Sequence, residues 1–400
     1  MPMRPCWVEI CTHHLEENYR FLTSLAAGDA ELLAIVKADA YGHSLALCAP
    51  AAVRAGANWL GVTSVEEGIA ARRLCPEARL LVIGGIFAGQ GSAVVQHRLT
   101  AVVWELGQVD ELENAARKAG APPGSVPVHL EIDTGMSRQG VSADGPDDRL
   151  DAVLTRLVAG SPLRLEGVMT HLFAADEADG RVTGEQLVRL GAALERIEAF
   201  GLFPDWLNVG NSAALLAGNT GRIAALAARH GMKAMLRPGL AFYGLAPQFE
   251  RCSGADTEQE ALAAAGGRLK TVLSWKTAVA GVRSVAAGAV VGYNGTFVAT
   301  EPMRLALLAV CYGDVLDRRL GNRFSLLVRG QRAPLVGRIS MDQAVLDVTG
   351  IAGVEAGNEV VILGAQGDET ITAFDHAEAS ETIPWEVFTR IGARVARVAV

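Results

Sequence analysis

Several polar residues in this 400-residue sequence stand where an apolar run would be expected to continue or simply to end. Lys37 closes the run Leu32–Val36 within Ile35-Val36-Lys37-Ala38-Asp39-Ala40-Tyr41-Gly42-His43. Arg138 follows the run that ends at Asp133, His171 and Arg237 end two more, and Ser212 comes just past Val209. A lysine aimed into a cleft can act as a base or as a Schiff-base nucleophile toward a carbonyl, and both uses require partial desolvation. If the carbonyl belongs to pyridoxal 5′-phosphate (PLP), the same site must also hold a phosphate and address a pyridine nitrogen. The inventory fits: Tyr41 and Ser212 can meet phosphate oxygens, and Gly239 in Arg237-Pro238-Gly239-Leu240 lets backbone N–H groups approach an anion.

These residues need elements that bring them together. Apolar runs predict strands over Leu32–Lys37, Trp59–Thr63, Leu80–Gly84, Thr100–Trp104, Val126–Asp133, Leu165–His171, Trp206–Val209 and Ala234–Arg237, with helix-period segments between them. One of the clearest helix starts is Ser64-Val65-Glu66-Glu67, which reads as a capping box. Strand–helix alternation implies parallel pairing with right-handed crossovers, and eight units in about 240 residues point to a (β/α)₈ barrel. Closure would gather Lys37, Arg138, His171, Ser212 and Arg237 at one mouth, the carboxyl end of the strands. An open doubly wound sheet is the alternative, because periodicity does not decide closure.

The alternation stops at the polar, Gly- and Ala-rich stretch 248–267, read as a linker. Beyond it the pattern turns mostly to β: Thr271–Val282, Arg304–Val310, Ser325–Val328, Ala333–Val336, Ala344–Val348 and Glu359–Leu363, with two helix-like pieces and a last run at Val395–Val400. The expected organisation is a barrel over 1–247, the linker, and a mostly β domain over 268–400. A short strand at Trp7–Ile10 precedes the first helix.

Composition narrows the function classes. Half of the residues are apolar and 20% are charged, as in a packed globule, and the net charge of −8 is interspersed with no basic face for nucleic acid. No run is long enough to span a bilayer, and Met-Pro-Met-Arg-Pro-Cys-Trp lacks a signal-peptide core, so a cytoplasmic protein is expected. The six cysteines contain no Cys-x-x-Cys pair, and His43, His97, His230 and His376 lack ligand spacing; no metal site is expected. Cys311 reads as a small buried side chain, and Glu66–Glu67 as helix-start charge rather than catalytic carboxylates.

The segment Val36–Gly42 resembles the cofactor-lysine signature of the alanine racemase family. Asp133-Thr134-Gly135-Met136-Ser137-Arg138, Thr170-His171, Asn211-Ser212-Ala213-Ala214, Arg237–Leu240, Gly292-Tyr293 and Gly337-Arg338-Ile339-Ser340-Met341-Asp342-Gln343 resemble further landmarks of that family in order, across essentially the whole chain. The resemblance implies a PLP-binding barrel followed by a β domain, and racemisation of a small amino acid within a homodimer. It implies that Lys37 carries the cofactor and serves as one base, while Tyr293 of the neighbouring subunit serves as the other. Tyr41, Asn211, Ser212, Gly239 and Leu240 would lie at the phosphate, Arg237 at the pyridine nitrogen with His171 behind it, and Arg138 at the phenolic oxygen. Arg138, with Met341 and Asp342 of the neighbouring subunit, would bind the substrate, and Tyr312, Arg338 and Trp385 would form the pocket's entrance. Taken alone, Tyr293 in Val291-Gly292-Tyr293-Asn294-Gly295 reads as a turn aromatic.

Two bases on opposite faces remove and return the α-proton, which suits substrates of either hand. A free phenol has a pKa of about 10, so Tyr293 would need cationic or hydrogen-bonded neighbours, for which Arg237 and His171 are the candidates. Arginine stays charged and cannot accept a proton, so at the pyridine nitrogen it favours racemase over decarboxylase chemistry. Three positions depart from the family pattern. Glu131 stands where many members have a lysine that becomes carbamylated, Asn208 where a histidine is common, and Trp385 where a tyrosine is common. Alanine is the leading substrate, with serine or a broader range second; a decarboxylase of the same barrel class and a non-enzymatic PLP-binding protein are the alternative functions. Supply of D-alanine for peptidoglycan is the expected role.

Overall fold

The structure, a computed structural model, describes residues 3–142, 149–158, 160–177, 180–248 and 264–400. Most of the expected linker and Cys252 lie outside the described residues. From the amino terminus the first strands are β1 (Cys6–Ile10), β2 (Glu31–Ile35), β3 (Trp59–Val62), β4 (Arg79–Val82), β5 (Thr100–Val103), β6 (Val126–Asp133), β7 (Val141–Ser142), β8 (Leu163–Met169), β9 (Trp206–Asn208) and β10 (Lys233–Leu236). The chain divides into two compact units, His13–Ala40 with Cys48–Lys270, and Met1–Thr12 with Tyr41–Leu47 and Thr271–Val400.

In the first unit the eight expected strands, β2 to β6 and β8 to β10, pair in parallel; β10 meets β2 and β5 meets β6, so the sheet closes on itself. This is the (β/α)₈ barrel, and the open-sheet alternative is excluded by the β5–β6 and β10–β2 pairings. Closure explains why strands such as Leu32–Ile35 and Trp59–Val62 are apolar along their whole length: both their faces are covered, one by the barrel interior and one by helices. The short strand β7 adds only at the end of β6.

The second unit is built on a long strand, β11 (Leu273–Val285), followed by β12 (Val290–Val291), β13 (Phe297–Val298), β14 (Met303–Leu308), β15 (Ser325–Val328), β16 (Gln331–Pro334), β17 (Ala344–Asp347), β18 (Glu359–Gln366), β19 (Glu369–Ile371) and β20 (Ala396–Ala399). One end of β11 pairs with β1 and β18, and beyond a register shift at Val279/Gly281 the other end pairs with β14. The amino-terminal strand therefore does not head the barrel. β1 lies antiparallel to β11 and parallel to β20, because Val8 and Ile10 are fully buried on the face of that sheet. Two further elements, the two-residue hairpin β12–β13 and strand β19, go beyond what the sequence pattern showed.

Candidate active site

The carboxyl ends of the barrel strands carry the polar residues singled out in the sequence. Strand β2 ends at Ile35, and Lys37 opens a turn rather than closing the strand. Ala38, Asp39, Ala40 and Tyr41 then all take positive φ, between 51° and 56°, a left-handed turn made without glycine. Such a conformation costs roughly 1–2 kcal/mol per residue, so the surroundings must hold it. The Ala40 N–H donates to the Val36 carbonyl, and the Tyr243 hydroxyl donates to the Ile35 carbonyl at 2.8 Å, fixing the strand end just before the lysine.

Burial pulls the Lys37 amine below its ordinary pKa, and the positive charges of Arg138 and Arg237 pull it the same way, with Glu67 opposing. A larger share of the amine is then neutral near pH 7, the form needed by a nucleophile or a base. The same two arginines and Lys37 act on His171. Desolvation first, then these charges, push its imidazole down to about 3, so it stays neutral in the working range.

Arg237 is buried, and desolvation brings its guanidinium down to about 10. One terminal nitrogen donates to both the carbonyl and the side-chain oxygen of Asn208, each at 2.6 Å. The other donates to the Thr170 carbonyl at 2.8 Å and meets His171 Nδ1 at 3.2 Å. Asn208 is thus a double acceptor for Arg237, a fuller part than a neighbour that merely replaces a histidine. The guanidinium is held from behind, and its Nε–H donates to none of the described residues.

The phosphate candidates gather after β9 and β10. Ser212 is buried, and its Oγ accepts the N–H groups of Gly239 (2.9 Å) and Ala241 (3.2 Å), leaving the hydroxyl hydrogen to donate elsewhere. The Gly239 amide is occupied by this bond, whereas the Leu240 N–H donates to none of the described residues. Asn211 is used structurally: it caps the helix Ser212–Leu216 by accepting the Ala214 N–H, and its amide donates to the Leu172 carbonyl. Tyr41, at the end of the left-handed turn, has its phenol pushed up to about 12 by burial.

Arg138 is exposed and follows a tight turn in which the Asp133 carboxylate accepts the N–H groups of Gly135 and Ser137. Glu131 is buried near it on β6, and desolvation raises its pKa against the pull of Gln139, Arg237 and Arg138. The Gln139 side-chain amide donates to Glu131 and to the Ile83 carbonyl, fixing the carboxylate. A Glu131→Gln variant is expected to lose the negative charge set against Arg237, lowering activity about tenfold for loss of one charge-assisted contact. Intact-mass measurement of the wild type should show no carbon dioxide adduct near Arg138; bicarbonate-dependent activity would count against this reading.

The sequence did not point to the supporting polar network. Gln186 donates to Thr134 Oγ1 (2.9 Å) and the His171 carbonyl (3.0 Å), and Thr134 and Thr170 share a hydroxyl bond of 2.8 Å. These residues lie on loops and helices whose local patterns carry no sign of tertiary use.

The second unit holds the other expected residues. Tyr293 is 67% exposed in the turn closed by β12 and β13. Gly292 before it adopts φ 73°, ψ −176°, a conformation available essentially only to glycine, and a Cβ there would stand 3.1 Å from the Arg338 nitrogen. Tyr293 and Tyr312 line one groove of about 490 Å³ with Asp317, Arg318 and Arg390. A second groove, of about 580 Å³, joins Tyr293 to Arg338, Ser340 and Gln343. Met341 and Asp342 are exposed between Ser340 and Gln343, whose backbone is tied by the Ser340 hydroxyl. Trp385, on the helix Pro384–Thr389, lines neither of these grooves.

Acid should weaken the barrel. His171, with His129, is held neutral by burial, so below about pH 6.5 the unfolded chain binds protons that the folded one refuses. Stability is full above the unfolded-state pKa and falls as pH drops, by up to about 1.4 kcal/mol per pH unit for each such histidine. Below about 4.5, Glu166, whose carboxylate the hydrogen bond and charge of Arg79 hold down to about 2 against desolvation, adds to the loss. Melting curves from pH 7 to 4 should show this slope, and His171→Asn should make it shallower; an unchanged slope would remove His171 from the account.

Together these features define a (β/α)₈ barrel whose strand ends carry a desolvated lysine among two arginines and a neutral imidazole. The chain matches the family model described as "Alanine racemase, N-terminal domain" over residues 10–247 and that described as "Alanine racemase, C-terminal domain" over 272–399. It is 36% identical to the alanine racemase of Sorangium cellulosum, with 99% of each chain covered. Among solved structures it resembles the alanine racemase of D-cycloserine-producing Streptomyces lavendulae (TM-score 0.86, 32% identity, 100% and 98% covered). In fold it also resembles the alanine racemase of Bartonella henselae, determined with covalently bound pyridoxal phosphate (TM-score 0.80, 24% identity, 99% of each chain). The chain belongs to the alanine racemase family.

Proposed function

We propose that this protein interconverts L-alanine and D-alanine with PLP at the barrel mouth, as a cytoplasmic homodimer that supplies D-alanine for peptidoglycan. The observation that carries the reading is the convergence of Lys37, Arg138 and Arg237 on a mouth where His171 is kept neutral. So much positive charge, with donor hydrogens left over on Ser212, Leu240 and Arg237, fits a group bearing a phosphate and a phenolic oxygen. The cofactor, when bound, supplies a carbonyl for an amine and a ring that withdraws electrons from the α-carbon.

The protein's own residues do the rest. Ser212, the Leu240 amide and Tyr41 hold the phosphate, with Gly239 orienting Ser212. Arg237 would donate a hydrogen bond to the ring nitrogen and, holding its own proton too firmly to give it up, would leave that nitrogen unprotonated. Arg138 holds the phenolic oxygen. Lys37 Nζ carries the cofactor and exchanges the α-proton on one face, while Tyr293 Oη of the neighbouring subunit does so on the other. Met341 and Asp342 bound the substrate, and Tyr312, Arg338 and Trp385 shape its entrance. The test is optical rotation and α-proton exchange in deuterated water with L-Ala, L-Ser and L-Lys. Turnover of L-Ala in preference to the others supports the reading; carbon dioxide release, or PLP binding without exchange, overturns it.

A further inference from the structure

Glu67 is an acidic residue that the mechanism above leaves unused, and its geometry departs from its sequence pattern. Ser64 caps the helix Val65–Leu74 by accepting the Glu67 N–H at 3.3 Å. In a closed capping box the Glu67 carboxylate would return to the Ser64 N–H. It turns elsewhere: Oε2 accepts the Thr63 N–H at 2.8 Å, and Oε1 accepts the Ala38 N–H at 2.6 Å. One carboxylate thus ties the loop after β3 to the residue next to Lys37.

We infer that Glu67 is a positioning residue for Lys37, clamping the peptide between Lys37 and Ala38 so that the left-handed turn holds and the amine leaves the backbone in one direction. Ala38 is the first of four consecutive residues in that costly conformation, and its N–H lies at the point where the strand breaks into the turn. A charged acceptor makes the stronger kind of hydrogen bond to a backbone N–H. The carboxylate also stands as the negative charge acting on Lys37 against Arg138 and Arg237, so it tunes the amine as well as placing it. The inference rests on the reading that Lys37 is the reactive amine.

The test uses the full chain as wild type, Glu67→Gln, Glu67→Ala and the control Glu66→Gln, a neighbouring carboxylate that bonds Ser64 and Gln90 rather than the Thr63 and Ala38 amides. Addition of PLP to cofactor-free protein is followed by visible absorbance, and borohydride fixation at Lys37 is measured by peptide mass. Both readouts need no turnover. Exchange of the α-proton of L-Ala and of D-Ala is then measured separately, with melting temperature alongside.

Glu67→Gln is expected to slow fixation at Lys37 about tenfold, as a small misplacement of a reacting group does. The loss of exchange should fall unequally on the two enantiomers, since only one depends on Lys37 as base, and KM should stay within about twofold. Glu66→Gln should match the wild type. Glu67→Gln fixing PLP at the wild-type rate, or losing exchange equally for both enantiomers in step with a lowered melting temperature, would overturn the inference. If Glu67→Ala fails to fold, the near-isosteric Glu67→Gln decides. Should the wild type itself not fix PLP at Lys37, the reading of the site fails rather than the role of Glu67.

Discussion

Replacing Lys37 with alanine is expected to cut racemisation of alanine by at least about 10⁴-fold, because one side chain serves as both nucleophile and base. The fold should survive. Lys37 lies past the end of β2, and the strand's apolar contacts and the Tyr243 anchor on Ile35 do not depend on it. Melting temperature should therefore change little, and PLP should bind without becoming fixed by borohydride. Added methylamine, a small surrogate for the missing amine, should restore a part of the exchange. Wild-type-like activity in Lys37→Ala would remove the proposed chemistry altogether, whereas loss of activity together with loss of folding would leave the solvent-exposed Tyr293 as the decisive position.

Tyr293→Phe removes only a hydroxyl from a residue that is 67% exposed in a hairpin turn, so its stability effect should be within the range of surface substitutions, about 0.5 kcal/mol. Its catalytic effect should be large, about 10²- to 10⁴-fold in racemisation, the span for one general acid–base group. The pattern matters more than the size. Exchange of the α-proton should persist from one enantiomer and fail from the other. Equal loss from both would mean that Tyr293 only shapes the pocket. Mixing inactive Lys37→Ala and Tyr293→Phe subunits should restore activity if each site draws on two chains, because some mixed dimers would hold one intact site.

The barrel was legible in the sequence because most of its strands, such as Leu32–Ile35, Trp59–Val62 and Thr100–Val103, are near-continuous apolar runs separated by helix-period segments, the signature of a sheet covered on each side, even though β6 and β8 carry His129, Glu131 and Glu166. Lys37, His171 and Arg237 were legible as polar residues at the ends of such runs. Tyr293 was not, apart from the family resemblance: a tyrosine between two glycines is ordinary turn chemistry, and the two-residue strands around it are too short to show alternation. Glu67 was hidden by its own pattern, since a capping box already explains a glutamate three residues after a serine. The left-handed turn was hidden because Ala38, Asp39 and Ala40 carry no glycine to announce it. Asn208 acts by accepting from the Arg237 side chain and Gln186 by donating to Thr134 and the His171 carbonyl, partners far away in sequence that no local window contains.

The placement of β1 between β11 and β20 has a consequence for synthesis of the chain. β1 is made before its partner β20, and at ~5–20 residues per second it waits roughly 20–80 s for it. During that interval the barrel segment, whose strands pair with near neighbours in sequence, is free to fold while Trp7, Val8 and Ile10 remain uncovered. β1 is therefore the strand whose docking waits longest, and the sheet of the second unit is completed only after the barrel strands are made.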